Sequence, residues 1–298
     1  MGGTNEARVT RPGGLLHNTG TMTPGHRLPY DVNCSILFTE LPLLERPAAA
    51  RAAGFGAIEL WWPFADAVPG DREVDALVRA VEDAGVRLVG LNFAGGDLAA
   101  GDRGLLSWPE RAPEFRANLE VAVGIGERLG CRVFNALYGN RVEGADPAAQ
   151  DELATGQLAL AGRAAARVGG TVVLEPLSGA PRYPLRTADD AVAVADRVAA
   201  ATGVANLGLL ADLYHLASNG DDLGRVAAEH GGRVAHVQVA DVPGRGPPGT
   251  GTLDLDRHLG RLAAAGYRGW VGLEYVPDGP SADSFGWLPR ERRQGGAP

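Results

Sequence analysis

Eight times between Tyr30 and Tyr275 a short apolar run gives way to a turn and then to a stretch rich in Ala, Leu, Arg and Glu, at roughly 30 residues per unit. The runs are Asp31–Leu37, Ala57–Trp61, Arg87–Asn92, Arg132–Leu137, Thr171–Glu175, Asn206–Asp212, Val234–Ala240 and Gly269–Tyr275. Helices are expected over Leu41–Ala53, Arg72–Ala84, Ala112–Leu129, Pro147–Val168, Thr187–Ala201, Leu223–His230 and Leu255–Ala265. Thr187 with Asp190 approximates a capping box, and Gly54, Gly85, Gly130 and Gly266 stand where helices stop. Strands joined through helices run parallel. Eight of them in a span of about 250–260 residues select an α/β fold of one closed (β/α)8 barrel, a TIM barrel, over an open doubly wound sheet. No GxGxxG follows the first strand, so a dinucleotide fold is not expected.

The barrel is expected over residues 29–290, between a disordered N-terminal tail, residues 1–28, and a C-terminal tail, residues 291–298. The net charge is −8 and the chain has no basic cluster, which argues against nucleic acid or an anionic membrane as partner. All 28 basic residues are arginine, so Schiff-base chemistry on lysine is excluded. Cys34 and Cys131 lie in apolar runs and read as free core thiols of a cytoplasmic protein. No run is long enough to span a membrane. Association into homo-oligomers is left open.

In such a barrel chemistry sits at the strand C-termini, above an interior of packed apolar side chains. Four consecutive strands end in a polar group there: Glu175, Asp212, Gln238 and Glu274, at intervals of 37, 26 and 36 residues. Val234–Gly251 carries the third of them. In that stretch Ala235, Val237 and Val239 face one way, His236 and Gln238 the other, before a Pro- and Gly-rich loop that holds Arg245. Three crowded carboxylates repel one another unless a cation neutralises them. With an amide oxygen they form a hard donor set, suited to Mg²⁺ or Mn²⁺.

The motifs LLADLYH (Leu209–His215), HVQVADVPGRGPPGTG (His236–Gly251) and GWVGLEY (Gly269–Tyr275) strongly resemble the hydroxypyruvate isomerase family. That family lies within the xylose-isomerase-like barrels, beside the sugar 3-epimerases. Leu91–Arg116 is similar to its loop after the third strand, and the resemblance runs from about Asp31 to Pro289. It implies one divalent ion, Mg²⁺ or Mn²⁺, on Glu175, Asp212, Gln238 and Glu274. It further implies proton transfer by Glu175 and Glu274, and substrate contacts by His215 and Arg245. Two places depart from the family pattern: Pro176–Tyr183 replaces a longer segment after Glu175, and Leu91 precedes Asn92 where His is usual.

The expected activity is isomerisation of hydroxypyruvate, or a closely related 2-keto-3-hydroxy acid, to tartronate semialdehyde through a cis-enediolate. One carboxylate removes the proton beside the carbonyl and the other assists its return. Arg245 is expected to fork onto the substrate carboxylate and His215 to bond a hydroxyl. Glu59, Asn92 and Asn135 are expected to complete the pocket, with Arg103 in a Gly95–Gly104 lid and Trp61, Trp62 and Trp108 as its walls. His236 is expected to pack behind the site, and His17, His26, His230 and His258 to lie at the surface. The rival readings are a ketose 3-epimerase on a longer sugar, a metal phosphoesterase of the apurinic-endonuclease type, and a non-catalytic sugar-acid-binding barrel.

Overall fold

The computed structural model describes residues 1–2 and 25–294. Most of the expected N-terminal tail, His17 included, and residues 295–298 of the expected C-terminal tail lie outside the described residues. The strands are β1 (Tyr30–Asn33), β2 (Ala57–Leu60), β3 (Arg87–Asn92), β4 (Val133–Asn135), β5 (Thr171–Leu174), β6 (Leu207–Asp212), β7 (Val234–Val239) and β8 (Val271–Leu273). Each pairs in parallel with the next, and β8 closes on β1 through Val32 opposite Leu273. The result is a closed eight-stranded barrel.

The helices are α1 (Arg46–Ala52), α2 (Asp71–Ala84), α3 (Ala112–Leu129), α4 (Pro147–Ala166), α5 (Ala188–Thr202), α6 (Leu213–Ser218), α7 (Leu223–His230), α8 (Leu255–Ala264) and α9 (Arg290–Arg293). Local chemistry sets their ends. Thr187 and Asp190 exchange the hydrogen bonds of a capping box at the start of α5. Gly85 and Gly130 take the left-handed conformation, at φ 65° and 74°, that stops α2 and α3. The first helix starts later than its sequence pattern suggests: a 3₁₀ turn at Leu43–Glu45 precedes α1. Pro47 lacks an N–H and fits only in a first turn, which fixes the α-helical start at Arg46.

Register places the inward-facing side chains in layers. Asn33 lies level with Glu59, Asp212 with Gln238, and Gln238 with Gly272. The layers beneath the rim are not wholly apolar as expected: Asp31, Glu59 and His236 are buried there. These groups are tolerated because most of them bond one another, and because two glycines leave them room. A Cβ at Gly272 would come within 2.5 Å of Glu59 Oε1, and one at Gly90 within 3.2 Å of the Glu59 side chain.

Both expected tail boundaries need correction. His26 is not a surface residue but 5% exposed. Its Nδ1 accepts from the Leu28 N–H at 3.2 Å, and its Nε2 lies 3.3 Å from the Tyr30 hydroxyl. The neighbouring Gly25 N–H donates to Asp256 of α8. At the other end Arg293 lies over the rings of Phe55 and Phe285 and donates to the Ala53 carbonyl, so packing continues past residue 291. Cys34 and Cys131 are buried free thiols. Among the described residues no helix is long and apolar enough to cross a membrane.

Candidate active site

The C-terminal ends of β5 to β8 bring Glu175, Asp212 and Glu274 together with His215. Each offers one ligand atom, and those atoms lie within 4.8 Å of one another. His215 reaches the rim because Asp212 ends β6 and at once caps α6, its Oδ1 accepting from the N–H groups of Tyr214 and His215 at 2.7 and 3.2 Å. The same carboxylate therefore holds a helix start with one oxygen and presents the other to the site. Gln238 sits beside it on β7. Its Nε2 donates to Glu59 Oε1 at 2.8 Å, which turns the amide oxygen away from Glu59.

The two glutamates are held differently. Glu175 accepts from Asn135 Nδ2 through Oε2 alone, at 2.7 Å. Glu274 accepts through Oε1 from Asn33 Nδ2 and Trp61 Nε1, at 3.0 and 2.5 Å, and through Oε2 from Arg245 Nη2 at 2.6 Å. Burial pushes the Glu274 carboxyl up to about 7, against the pull of Arg245. Glu175 is raised well above the usual carboxylate range, first by burial and then by the charges of Glu274 and Asp212. Asp212 is raised by burial too. His215 is lowered to about 4 by burial and by Arg245, so its ring is neutral. Its Nδ1 accepts from the Ser178 backbone N–H at 3.0 Å, which leaves the proton on Nε2, facing the carboxylates.

A cavity of about 220 Å³ opens above this group, lined in part by Glu175, Glu274, His215, Arg245, Asn92 and Arg103. Asp212 and Gln238 are not in its lining. Glu59, expected at the pocket, lies a layer lower: β2 pairs in register with β1 and delivers it beside Asn33, out of reach of the cavity. Arg245, expected to present an open fork, already gives Nη2 to Glu274 and lies over the Tyr214 ring at 5.4 Å. Arg103 donates to the carbonyls of Leu98 and Asp102 and has no carboxylate partner among the described residues. Trp61 and Trp62 line a second cleft of about 460 Å³ that adjoins the first through Trp61, Asn92, Leu98 and Leu137. Trp108 is not in either lining but packs under Arg111. Sequence reasoning missed Asn33, Ser178 and the Trp61 N–H as partners of the site. His236 packs behind it as expected, its Nε2 at 2.5 Å from Glu59 Oε2.

Two features fit the expected divalent cation. Three carboxyl groups whose ionisation is opposed by burial share one pocket, the situation a positive charge relieves. In addition, Gln238 Oε1 and Asp212 Oδ2 are fully buried with no hydrogen-bond partner among the described residues, a state that costs about 1–3 kcal/mol for each atom left so. Glu175, Asp212, Gln238 and Glu274 together offer oxygen donors only, as Mg²⁺ and Mn²⁺ prefer.

A closed parallel barrel with an acidic rim defines a recognisable class, and residues 47–291 match the xylose isomerase-like TIM barrel family. The chain belongs to that family. It is 58% identical to a putative hydroxypyruvate isomerase of Streptomyces coelicolor over 269 residues, covering 89% of this chain and 96% of the relative. It is 33% identical over 262 residues to a 2-oxo-tetronate isomerase of Cupriavidus necator, covering 87% and 96%. Among solved structures it is similar to an AP endonuclease, family 2, from Brucella melitensis, at TM-score 0.79 and 34% identity over 88% of this chain and 98% of that one. With such relatives the chain is an enzyme, an isomerase.

Proposed function

We propose that this isomerase interconverts hydroxypyruvate, or a closely related 2-keto-3-hydroxy acid, with tartronate semialdehyde or its homologue, and that Glu175 and Glu274 move the proton. The observation that carries this reading is the pair of buried glutamates on one cavity, one with a spare oxygen and one held at both. Among the described residues nothing donates to Glu175 Oε1, and Glu175 is the group free to take the proton from C3. Glu274, fixed by Asn33, Trp61 and Arg245, is the carboxyl placed to deliver a proton to C2. The hydroxyl proton passes from the C3 oxygen to the C2 oxygen, so the reaction is an isomerisation without net gain or loss of atoms.

His215 donates from Nε2 to the oxygen on which charge develops, a neutral imidazole acting as electrophile. Arg103 and the remaining donors of Arg245 hold the substrate carboxylate. A divalent cation on Glu175, Asp212, Gln238 and Glu274 would supply charge stabilisation for the enediolate. We place the activity in the cytoplasm, in keeping with two free buried thiols.

Hydroxypyruvate and 2-oxo-tetronate, the compounds in the relatives' names, are both small hydroxy-keto acids, which supports an acid as substrate. The phosphoesterase chemistry named for the Brucella structure is a poorer match to this chain. The cavity has one histidine in its lining, and no lysine occurs in the sequence to meet a phosphate. The test is a panel of hydroxy-keto acids and neutral ketoses followed by proton NMR in D₂O with Mg²⁺ and Mn²⁺. Acids should be turned over best. If neutral ketoses prove better substrates, the 3-epimerase reading replaces this one.

A further inference from the structure

Gln238 is an amide whose two ends look alike in shape and opposite in chemistry, so its value as a ligand depends on which end faces the site. The group beneath it decides. Glu59 Oε1 accepts from Gln238 Nε2 at 2.8 Å and from Asn33 Nδ2 at 3.1 Å, while Glu59 Oε2 faces His236 Nε2 at 2.5 Å. A flipped Gln238 would set its oxygen against a carboxylate oxygen and put its N–H groups where the unpartnered Oε1 now lies. Asn33 is oriented in the same way. Its Oδ1 accepts from the Ser35 N–H at 2.9 Å, which commits Nδ2 to Glu59 and, at 3.0 Å, to Glu274 Oε1. One carboxylate therefore fixes both a candidate ligand and, through Asn33, a candidate proton carrier.

The place for Glu59 is built into three strands. Gly272, two residues before Glu274 on β8, carries no side chain where the Glu59 carboxylate lies, and a Cβ there would sit 2.5 Å from Oε1. Gly90 on β3 clears the other side, where a Cβ would come within 3.2 Å. Glu59 is 3% exposed, so this carboxylate reaches neither solvent nor the cavity.

We infer that Glu59 is a positioning residue, the acceptor that turns Gln238 Oε1 toward the cation site and, through Asn33, holds Glu274 in place. The inference rests on the reading of Gln238 as a ligand given above. Partners of metal ligands typically change metal affinity by about 10–100-fold when removed.

The test is Mn²⁺ affinity, measured by the electron paramagnetic resonance of free Mn²⁺ with no substrate present, on protein shown by circular dichroism to be folded. Glu59→Met keeps the volume and removes both acceptors, and it should weaken Mn²⁺ binding at least tenfold. Glu59→Gln keeps one acceptor oxygen for Gln238 and Asn33, with His236 changing tautomer to accept from the new amide, and should stay within about threefold of wild type. Equal losses in both variants would assign Glu59 a charge effect and overturn the inference, as would Mn²⁺ affinity unchanged in Glu59→Met. If Glu59→Met does not fold, Glu59→Asp keeps the charge but withdraws it by one methylene, and wild-type affinity there overturns the inference as well. Wild-type protein that binds no Mn²⁺ would contradict the ligand set itself, and with it any orienting role toward a cation. Wild-type binding with an indifferent Glu59 would remove only the role proposed here.

Discussion

Two arginines face the cavity, and what already holds each one separates their roles. Among the described residues Arg103 is tied only to the carbonyls of its own loop, whereas Arg245 donates to Glu274 at 2.6 Å and leans on Tyr214. A charged hydrogen bond is worth about 1.5–3 kcal/mol, equivalent to roughly 10–100-fold in binding. Arg103→Ala should therefore raise KM for acid substrates by about tenfold or more and leave kcat nearly unchanged. Arg245→Ala should raise KM and lower kcat as well, because Glu274 loses the partner of its Oε2. Arg245→Lys should recover little, since one ammonium cannot serve two oxygens in a fixed plane. Steady-state kinetics on hydroxypyruvate checks all three. A kcat untouched by Arg245→Ala would show that its contact with Glu274 has no part in turnover.

The loop that carries Arg103 depends on one backbone position. Gly104 has φ +110°, and a Cβ there would run into the Leu137 carbonyl. Gly104→Ala should shift this loop at a cost of about 1–3 kcal/mol, seen as a lower melting temperature and a reduced kcat/KM. Unaltered kinetics in a folded variant would mean that the loop's position does not govern Arg103. At this scale the sequence was legible where chemistry is local. Thr187 and Asp190 announced α5, and four polar groups closing four apolar runs announced the rim. Asn33 was missed because the apolar run continues to Leu37, which disguises the end of β1 four residues earlier. Glu59 was placed a layer too high because its depth depends on register. The β2–β3 register shifts between Ile58 and Glu59, and the β6–β7 register between Leu209 and Leu210. No single-strand pattern encodes such shifts. His26 was assigned to the surface from tail-like composition around it, while its burial depends on Tyr30 and on α8, which lies far along the chain.

For the molecule as a whole, the barrel closes around a polar column that runs from Asp31 through Glu59 and Gln238 to the rim carboxylates. An ion bound at the top would tie β5, β6, β7 and β8 together, so stability and activity should respond to it jointly. Chelation by EDTA should abolish turnover and lower the melting temperature, and added Mn²⁺ should restore both. A ligand at 100 times its Kd stabilises the folded state by about 2.7 kcal/mol. Full activity after exhaustive chelation would remove the cation from the account.

The most direct test of the two-glutamate claim follows hydrogen itself. Wild-type enzyme acting on hydroxypyruvate in D₂O should place deuterium on C2 of the product, because the proton delivered there comes from a carboxyl in exchange with solvent. Glu175→Gln and Glu274→Gln should remain folded and lose about 10²–10⁴-fold in turnover. Glu274→Gln should in addition wash deuterium into recovered substrate at C3 without forming product. Near-normal turnover by either variant would contradict the assignment of proton transfer to this pair.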